Sequence, residues 1–159
     1  LYPTHVERSE ALMDEAVALA ASGAHCDVDT VEGELARWVR YWFDRGGPPD
    51  RLTVSSDAGA SSPGQLAREW RDCVLRGGLT LERMLPLVTS NTAAVLRLPA
   101  KGRLAPGRDA DVLVLRADSL DVVDVFARGR RLVADGRLTV GERWLGTSRR
   151  ELHLTGTKQ

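Results

Sequence analysis

The sequence lacks an excess of charge of either sign: 22 Lys and Arg residues face 22 Asp and Glu, and the formal net charge is zero. Without a basic field there is nothing to draw a polyanion, so neither nucleic acid nor an anionic membrane surface is expected as a partner. Cysteine is scarce as well. Cys26 and Cys73 stand far apart without metal-type spacing, which argues against a disulfide scaffold and for two buried thiols in a reducing, cytoplasmic setting. No apolar run approaches the ~20 residues that cross a bilayer, and no signal peptide is read. Low-complexity segments and internal repeats are missing too. What is present is ordinary globular composition, 43% hydrophobic and 28% charged over 159 residues, enough for a sizeable core.

Residues Leu1 to Val6 read as the end of a strand. Ser9 can cap a helix carrying Leu12, Met13, Ala16, Val17, Leu19 and Ala20 at helical spacing, stopped by Gly23. His25 to Thr30 is β-compatible, and a second helix presents Leu35, Trp38, Val39, Trp42 and Phe43 before Gly46-Gly47-Pro48-Pro49. Leu52 to Ser56 reads as a strand, followed by a loop of small residues and helices over about 64–76 and 80–98. A β-α-β-α-β-α order with no hairpin signal requires parallel strands joined by helical crossovers. The four tryptophans fall mostly at helical spacing and read as core or interface rather than as a stacking platform.

After Pro99 the pattern becomes turn-rich and β-branched. Pro106-Gly107 precedes the strand Val112 to Leu115. Val122 to Phe126 and Arg131 to Ala134 flank Arg128-Gly129-Arg130, a hairpin signal. The expected organisation is an α/β part at 1–98, an antiparallel β part at 99–146 and a tail at 147–159. Three βα units cannot close a barrel, and a complete (β/α)8 barrel takes ~250 residues. The chain is therefore expected to supply the last strands of something larger, completed by upstream sequence or by another chain.

In parallel α/β architectures the reacting groups gather where strands end. His5 follows a short extended run and Asp57 ends "LTVSSD", so an imidazole and a carboxylate would meet at one mouth, suited to a divalent metal or to proton exchange. Each also has a plain structural reading, His5 as a satisfied histidine and Asp57 as a helix cap. Arg8, three residues after His5, can grip a substrate carboxylate with its fork, or pair with Glu7 or Glu10. Ser61, four after Asp57, can add a hydrogen bond to substrate or cap the next helix together with Ser62. His25, Asp27 and Asp29 alternate along one strand, but steps of ~7 Å splay them too widely for one ion. His153 lies in the tail and receives no role.

Four stretches, "PTHVER", "GAHCDVDT", "LTVSSDAGAS" and "GRLAPGRDADVLVL", together resemble the C-terminal part of the amidohydrolase superfamily, in particular its isoaspartyl (β-aspartyl) dipeptidase branch. The resemblance runs to about Gly136. It implies the last βα units of a (β/α)8 TIM-type barrel followed by C-terminal strands of a small β-sandwich domain. It implies that His5 ligates the more exposed of two zinc ions, that Asp57 touches the other and shuttles the proton, that Arg8 binds the substrate α-carboxylate, and that Ser61 helps hold the substrate. In such enzymes a hydroxide bridging two metals attacks the amide carbonyl, here that of a β-aspartyl dipeptide.

Two departures stand out. Ala58, Gly59 and Ala60 fill the loop where the family usually has glycine or asparagine. There is also no His-x-His, and the only lysines, Lys101 and Lys158, lie outside the barrel part, so the remaining ligands belong upstream in the family. The implied fragment would contribute one histidine ligand, a base and the carboxylate clamp, and would be inactive alone. The alternatives are another amidohydrolase, dihydroorotase-like or aminoacylase-like, or a catalytically inactive partner or binding module. A homo-oligomer is expected.

Overall fold

The structure is a computed structural model that describes residues 1–30 and 33–141. The expected tail, with His153, and also Trp144, lie outside the described residues. The chain divides into two compact units, Leu1–Arg103 and Leu104–Gln159.

The first unit is built on two short parallel strands. β1 (Cys26–Asp29) and β2 (Leu52–Ser55) pair in register from Cys26 opposite Leu52 to Asp29 opposite Ser55. Every residue of the pair except Ser55 is buried, as befits parallel strands covered on both faces. The opening segment adds a single backbone bond to β1, from Asp27 N to Pro3 O at 3.0 Å. It forms no regular strand, because Pro3 has no N–H with which to extend a ladder. After His5 it tightens into one 3-10 turn, Val6–Arg8.

Helix α1 (Glu10–Ala21) starts at Ser9, whose Oγ accepts from Leu12 N at 3.2 Å. Its buried face is Met13, Ala16 and Ala20, narrower than the apolar stripe in the sequence, since Leu12 and Leu19 are exposed. α2 (Leu35–Asp44) buries Leu35, Trp38, Val39 and Trp42, one face at the i, i+3, i+4, i+7 spacing of an amphipathic helix. α3 (Pro63–Leu75) is capped by Ser62, whose Oγ accepts from Gln65 N at 3.1 Å, and has Pro63 in its first turn. Trp38, Trp42 and Trp70 all enter the core.

The single helix expected over 80–98 is two helices, α4 (Leu81–Val88) and α5 (Ser90–Val95). The break falls at Thr89, with φ −127 and ψ −89. Pro86 inside α4 removes one intrahelical donor and crowds the turn before it, and Thr89 Oγ1 donates back to Leu85 O at 2.7 Å. Just past the break, the buried Asn91 donates through Nδ2 to the carbonyls of Pro49 and Leu52, each at 2.8 Å. That pins the entry to β2.

In the second unit, β3 (Val112–Leu115), β4 (Val122–Ala127), β5 (Arg130–Ala134) and β6 (Arg137–Leu138) form one antiparallel sheet in that order. The β4–β5 turn carries positive φ at both Arg128 (49) and Gly129 (77), the two-residue geometry that matches strand twist. Asp124 on β4 accepts from Arg131 Nη2 on β5 at 2.6 Å. The described part of this unit is a single sheet. No helix among the described residues is long and apolar enough to cross a membrane.

Candidate metal centre

Because β1 and β2 run parallel, their carboxyl ends share an edge. Asp29 is the last residue of β1, and Asp57 lies two residues past the end of β2. His5 closes the segment that Pro3 ties to β1. The three side chains meet: a ring nitrogen of His5 and one carboxylate oxygen each of Asp29 and Asp57 lie within 4.8 Å of one another. Both flanking residues have left-handed backbone, His5 at φ 58 and Asp57 at φ 43. His and Asp tolerate that conformation better than most residues, and it costs of order 1–3 kcal/mol where the surroundings enforce it.

Asp29 is the buried member. Its Oδ2 is hydrogen-bonded to His5 Nδ1, and Arg8 Nη2 lies 3.5 Å from the same oxygen and 3.4 Å from the same nitrogen. Arg8 also approaches Glu7, Nε to Oε1 at 3.9 Å. Glu10, the other pairing candidate, is engaged by Arg37 at 3.4 Å. Glu7 is only 3% exposed, and neither of its carboxylate oxygens has a hydrogen-bond partner among the described residues. Burial first, with the neighbouring Asp29 carboxylate adding to it, pushes the Glu7 acid up to about 7.

Ser61 hangs over the same edge, its Oγ 3.4 Å from Thr30 Oγ1. The Asp57 carbonyl accepts from the amides of Ala60 and Ser61, both at 2.8 Å, which closes the loop into a tight turn. Ser62 rather than Ser61 caps α3, and Asp57 is not that helix's cap. Gln65 Nε2 donates to Thr30 O at 2.5 Å and fastens α3 to the end of β1.

His25, Asp27 and Asp29 do not form a centre of their own. Asp27, two residues before Asp29 on the same strand face, is sealed in hydroxyls. It accepts from Tyr2 Oη at 3.1 Å, Thr53 Oγ1 at 2.5 Å and Ser55 Oγ at 2.5 Å, while Tyr2 and Thr53 also contact each other at 2.6 Å. Asp29 instead joins His5 and Asp57, which come from other segments. The spacing argument, confined to one strand, missed that. The readable signal was an acidic residue at the carboxyl end of a buried parallel strand.

The donor set suits a divalent cation. One imidazole and two carboxylates are ligands that zinc accepts. Asp29 and Asp57 bring two carboxylates together here, against the single guanidinium of Arg8. Within the described residues, then, a cation has both ligands and an electrostatic reason to bind.

A sequence model of the amidohydrolase family matches residues 44–140. The chain belongs to the amidohydrolase family. Within it, the chain is isoaspartyl dipeptidase-like. A crystal structure of the β-aspartyl dipeptidase from Fervidobacterium islandicum, in complex with β-Asp-Leu, superposes with a TM-score of 0.80 at 28% identity, covering 90% of this chain and 42% of that one. A dihydroorotase from Pelotomaculum thermopropionicum is 37% identical over 78 residues, covering 47% of this chain and 18% of that protein. An atrazine chlorohydrolase from Arthrobacter aurescens, crystallised with zinc, shares the fold alone: TM-score 0.62 at 17% identity, covering 92% of this chain and 39% of that one. The amidohydrolase chain thus spans about two fifths of the length of these solved structures and less than one fifth of the dihydroorotase.

Proposed function

We propose that this amidohydrolase chain is part of a zinc-dependent enzyme that hydrolyses the isoaspartyl amide bond of β-aspartyl dipeptides. Its α/β unit would be the last βα units of a (β/α)8 barrel, and its antiparallel sheet part of a small β-sandwich domain. The observation that carries the reading is the convergence of His5, Asp29 and Asp57 at the carboxyl edge of parallel strands with Arg8 beside them. Likeness to a dipeptidase at 28% identity supports it.

His5 and Asp57 would hold the metal, which supplies Lewis-acid polarisation of the amide and activation of water. The residues of the chain account for the remaining work. Asp57 accepts the proton of the attacking water and returns it to the leaving amine, a general-base role worth ~10²–10⁴-fold. Arg8 binds the α-carboxylate of the dipeptide through its two-pronged fork, and Ser61 donates to the substrate from the turn that Asp57 begins. A homo-oligomer in a cytoplasmic compartment belongs to the same proposal.

A dihydroorotase reading has its own support in the 37% identical stretch. Assay of the full-length protein with β-Asp-Leu, dihydroorotate and N-acyl amino acids, with and without zinc, separates the two. Zinc-dependent cleavage of β-Asp-Leu is expected. Turnover of dihydroorotate alone would replace the first reading with the second.

A further inference from the structure

Asp29 has no assigned part in the chemistry above, yet it touches two residues that do. Its side chain is 1% exposed, against 43% for His5 and 37% for Arg8. It is the buried partner and they are the more exposed ones. An ionised carboxylate has no proton to give, so in its bond with Asp29 the His5 Nδ1 must be the donor. The Arg8 Nη2 at 3.4 Å from that nitrogen is then a contact rather than a donor to it, and the guanidinium is held by Asp29 Oδ2 at 3.5 Å. With its proton on Nδ1, the neutral ring keeps a lone pair only on Nε2. A carboxylate behind a ligating histidine fixes its tautomer and orientation and raises its basicity as a ligand.

We propose that Asp29 is a positioning residue: its one buried carboxylate sets the Nδ1–H tautomer of His5 for metal binding and holds Arg8 in place for the substrate carboxylate. Metal ligand and substrate clamp are thereby oriented by the same anion, anchored at the last residue of β1. This rests on the metal and clamp roles of His5 and Arg8 proposed above.

The test uses the full-length protein and its Asp29→Asn and Asp29→Ala variants. Long-range ¹H–¹⁵N spectra of the metal-free protein in mildly alkaline buffer report the His5 tautomer without any turnover. Nδ1–H is expected in the wild type and in Asp29→Asn, whose side-chain carbonyl still accepts from Nδ1, but not in Asp29→Ala. Zinc affinity, by competition with a chromophoric chelator, should fall about 10–100-fold in Asp29→Ala and only a few-fold in Asp29→Asn. Preference for a free over an amidated substrate C-terminus should shrink in both variants, since both lose the Asp29 charge beside Arg8. An Nε2–H ring in the wild type overturns the proposal even if a variant misfolds. So does equal zinc loss in Asn and Ala, which would make Asp29 a direct ligand. If the wild type binds no zinc or cleaves no β-aspartyl dipeptide, the functional reading fails while the tautomer measurement still decides what Asp29 does to His5.

Discussion

Replacing Asp27 tests whether a buried carboxylate can stabilise a site by geometry while costing stability through its charge. Asp27 is 2% exposed and accepts from three hydroxyls. In Asp27→Ala, Tyr2 and Thr53 keep one another, being 2.6 Å apart, but Ser55 loses its acceptor at the strand end. The Ser55 hydroxyl is only half-buried, so orphaning it costs about 1 kcal/mol, the low end of the range for a lost partner; the space left behind adds ~1 kcal/mol, and a loss of about 2 kcal/mol is expected. Asp27→Asn should lose about 1 kcal/mol or less at neutral pH, because its carbonyl accepts from Tyr2 and Thr53 while the Ser55 hydroxyl turns to accept from its amide. The pH dependence gives the sharper test. Burial is the largest influence on Asp27 and raises its pKa, against the lowering by Ser55, Thr53 and Tyr2. A carboxyl group with a raised folded-state pKa favours the folded state while protonated, and that contribution is lost as pH climbs from the ordinary carboxylate range through the raised value. Asparagine has no such proton, so the stability gap should move in favour of Asp27→Asn as pH rises through that window. Urea unfolding of the full-length protein across pH, followed by tryptophan fluorescence, measures both quantities. A gap that moves in favour of the wild type would refute the reasoning, as would an Asp27→Ala protein as stable as its parent.

Three further outcomes are expected. Asp57→Asn should retain most of the bound zinc, measured by elemental analysis, yet lose about 10²–10⁴-fold in turnover, and near-normal turnover would remove Asp57 from the proton-transfer role. Arg8→Ala should raise KM for β-Asp-Leu far more than it lowers kcat and narrow the preference for a free substrate carboxylate, as steady-state kinetics on free and amidated substrates would report. Gly102→Ala should lower the melting temperature sharply: φ is +79, and a Cβ there would lie 2.7 Å from Ala93 Cβ and 2.8 Å from Thr89 O. Left-handed backbone costs ~1–2 kcal/mol and overpacking ~1–3 kcal/mol, and a thermal melt by circular dichroism that matched the parent would contradict both.

Local patterns carried the elements well. Leu35, Trp38, Val39 and Trp42 mark a helix face by spacing alone, and β-branched runs bounded by turns mark β3, β4 and β5. The split of the expected helix was not legible: the break falls at Thr89, three residues beyond Pro86, whereas a proline disturbs the turn on its N-terminal side. Asp135-Gly136 carries the same turn signal as Arg128-Gly129, but the two-residue strand after it is too short for alternation to show. At the site, the strand-end rule picked out His5 and Asp57 because it depends on topology, which alternation reveals. Glu7 was not legible, and Asp29 was legible only as an acid at the carboxyl end of a buried strand. Their importance comes from neighbours 24 and 22 residues apart in sequence, and no local pattern encodes which buried acid ends up behind which histidine.

The left-handed backbone at His5 and Asp57 makes these two positions selective in a second way. A substitution there is judged by the main chain before its side chain meets any ligand. Asparagine and glycine tolerate that backbone, whereas valine, isoleucine or threonine would be strained there. A programme to exchange the metal preference of this centre therefore has a short alphabet at these two positions.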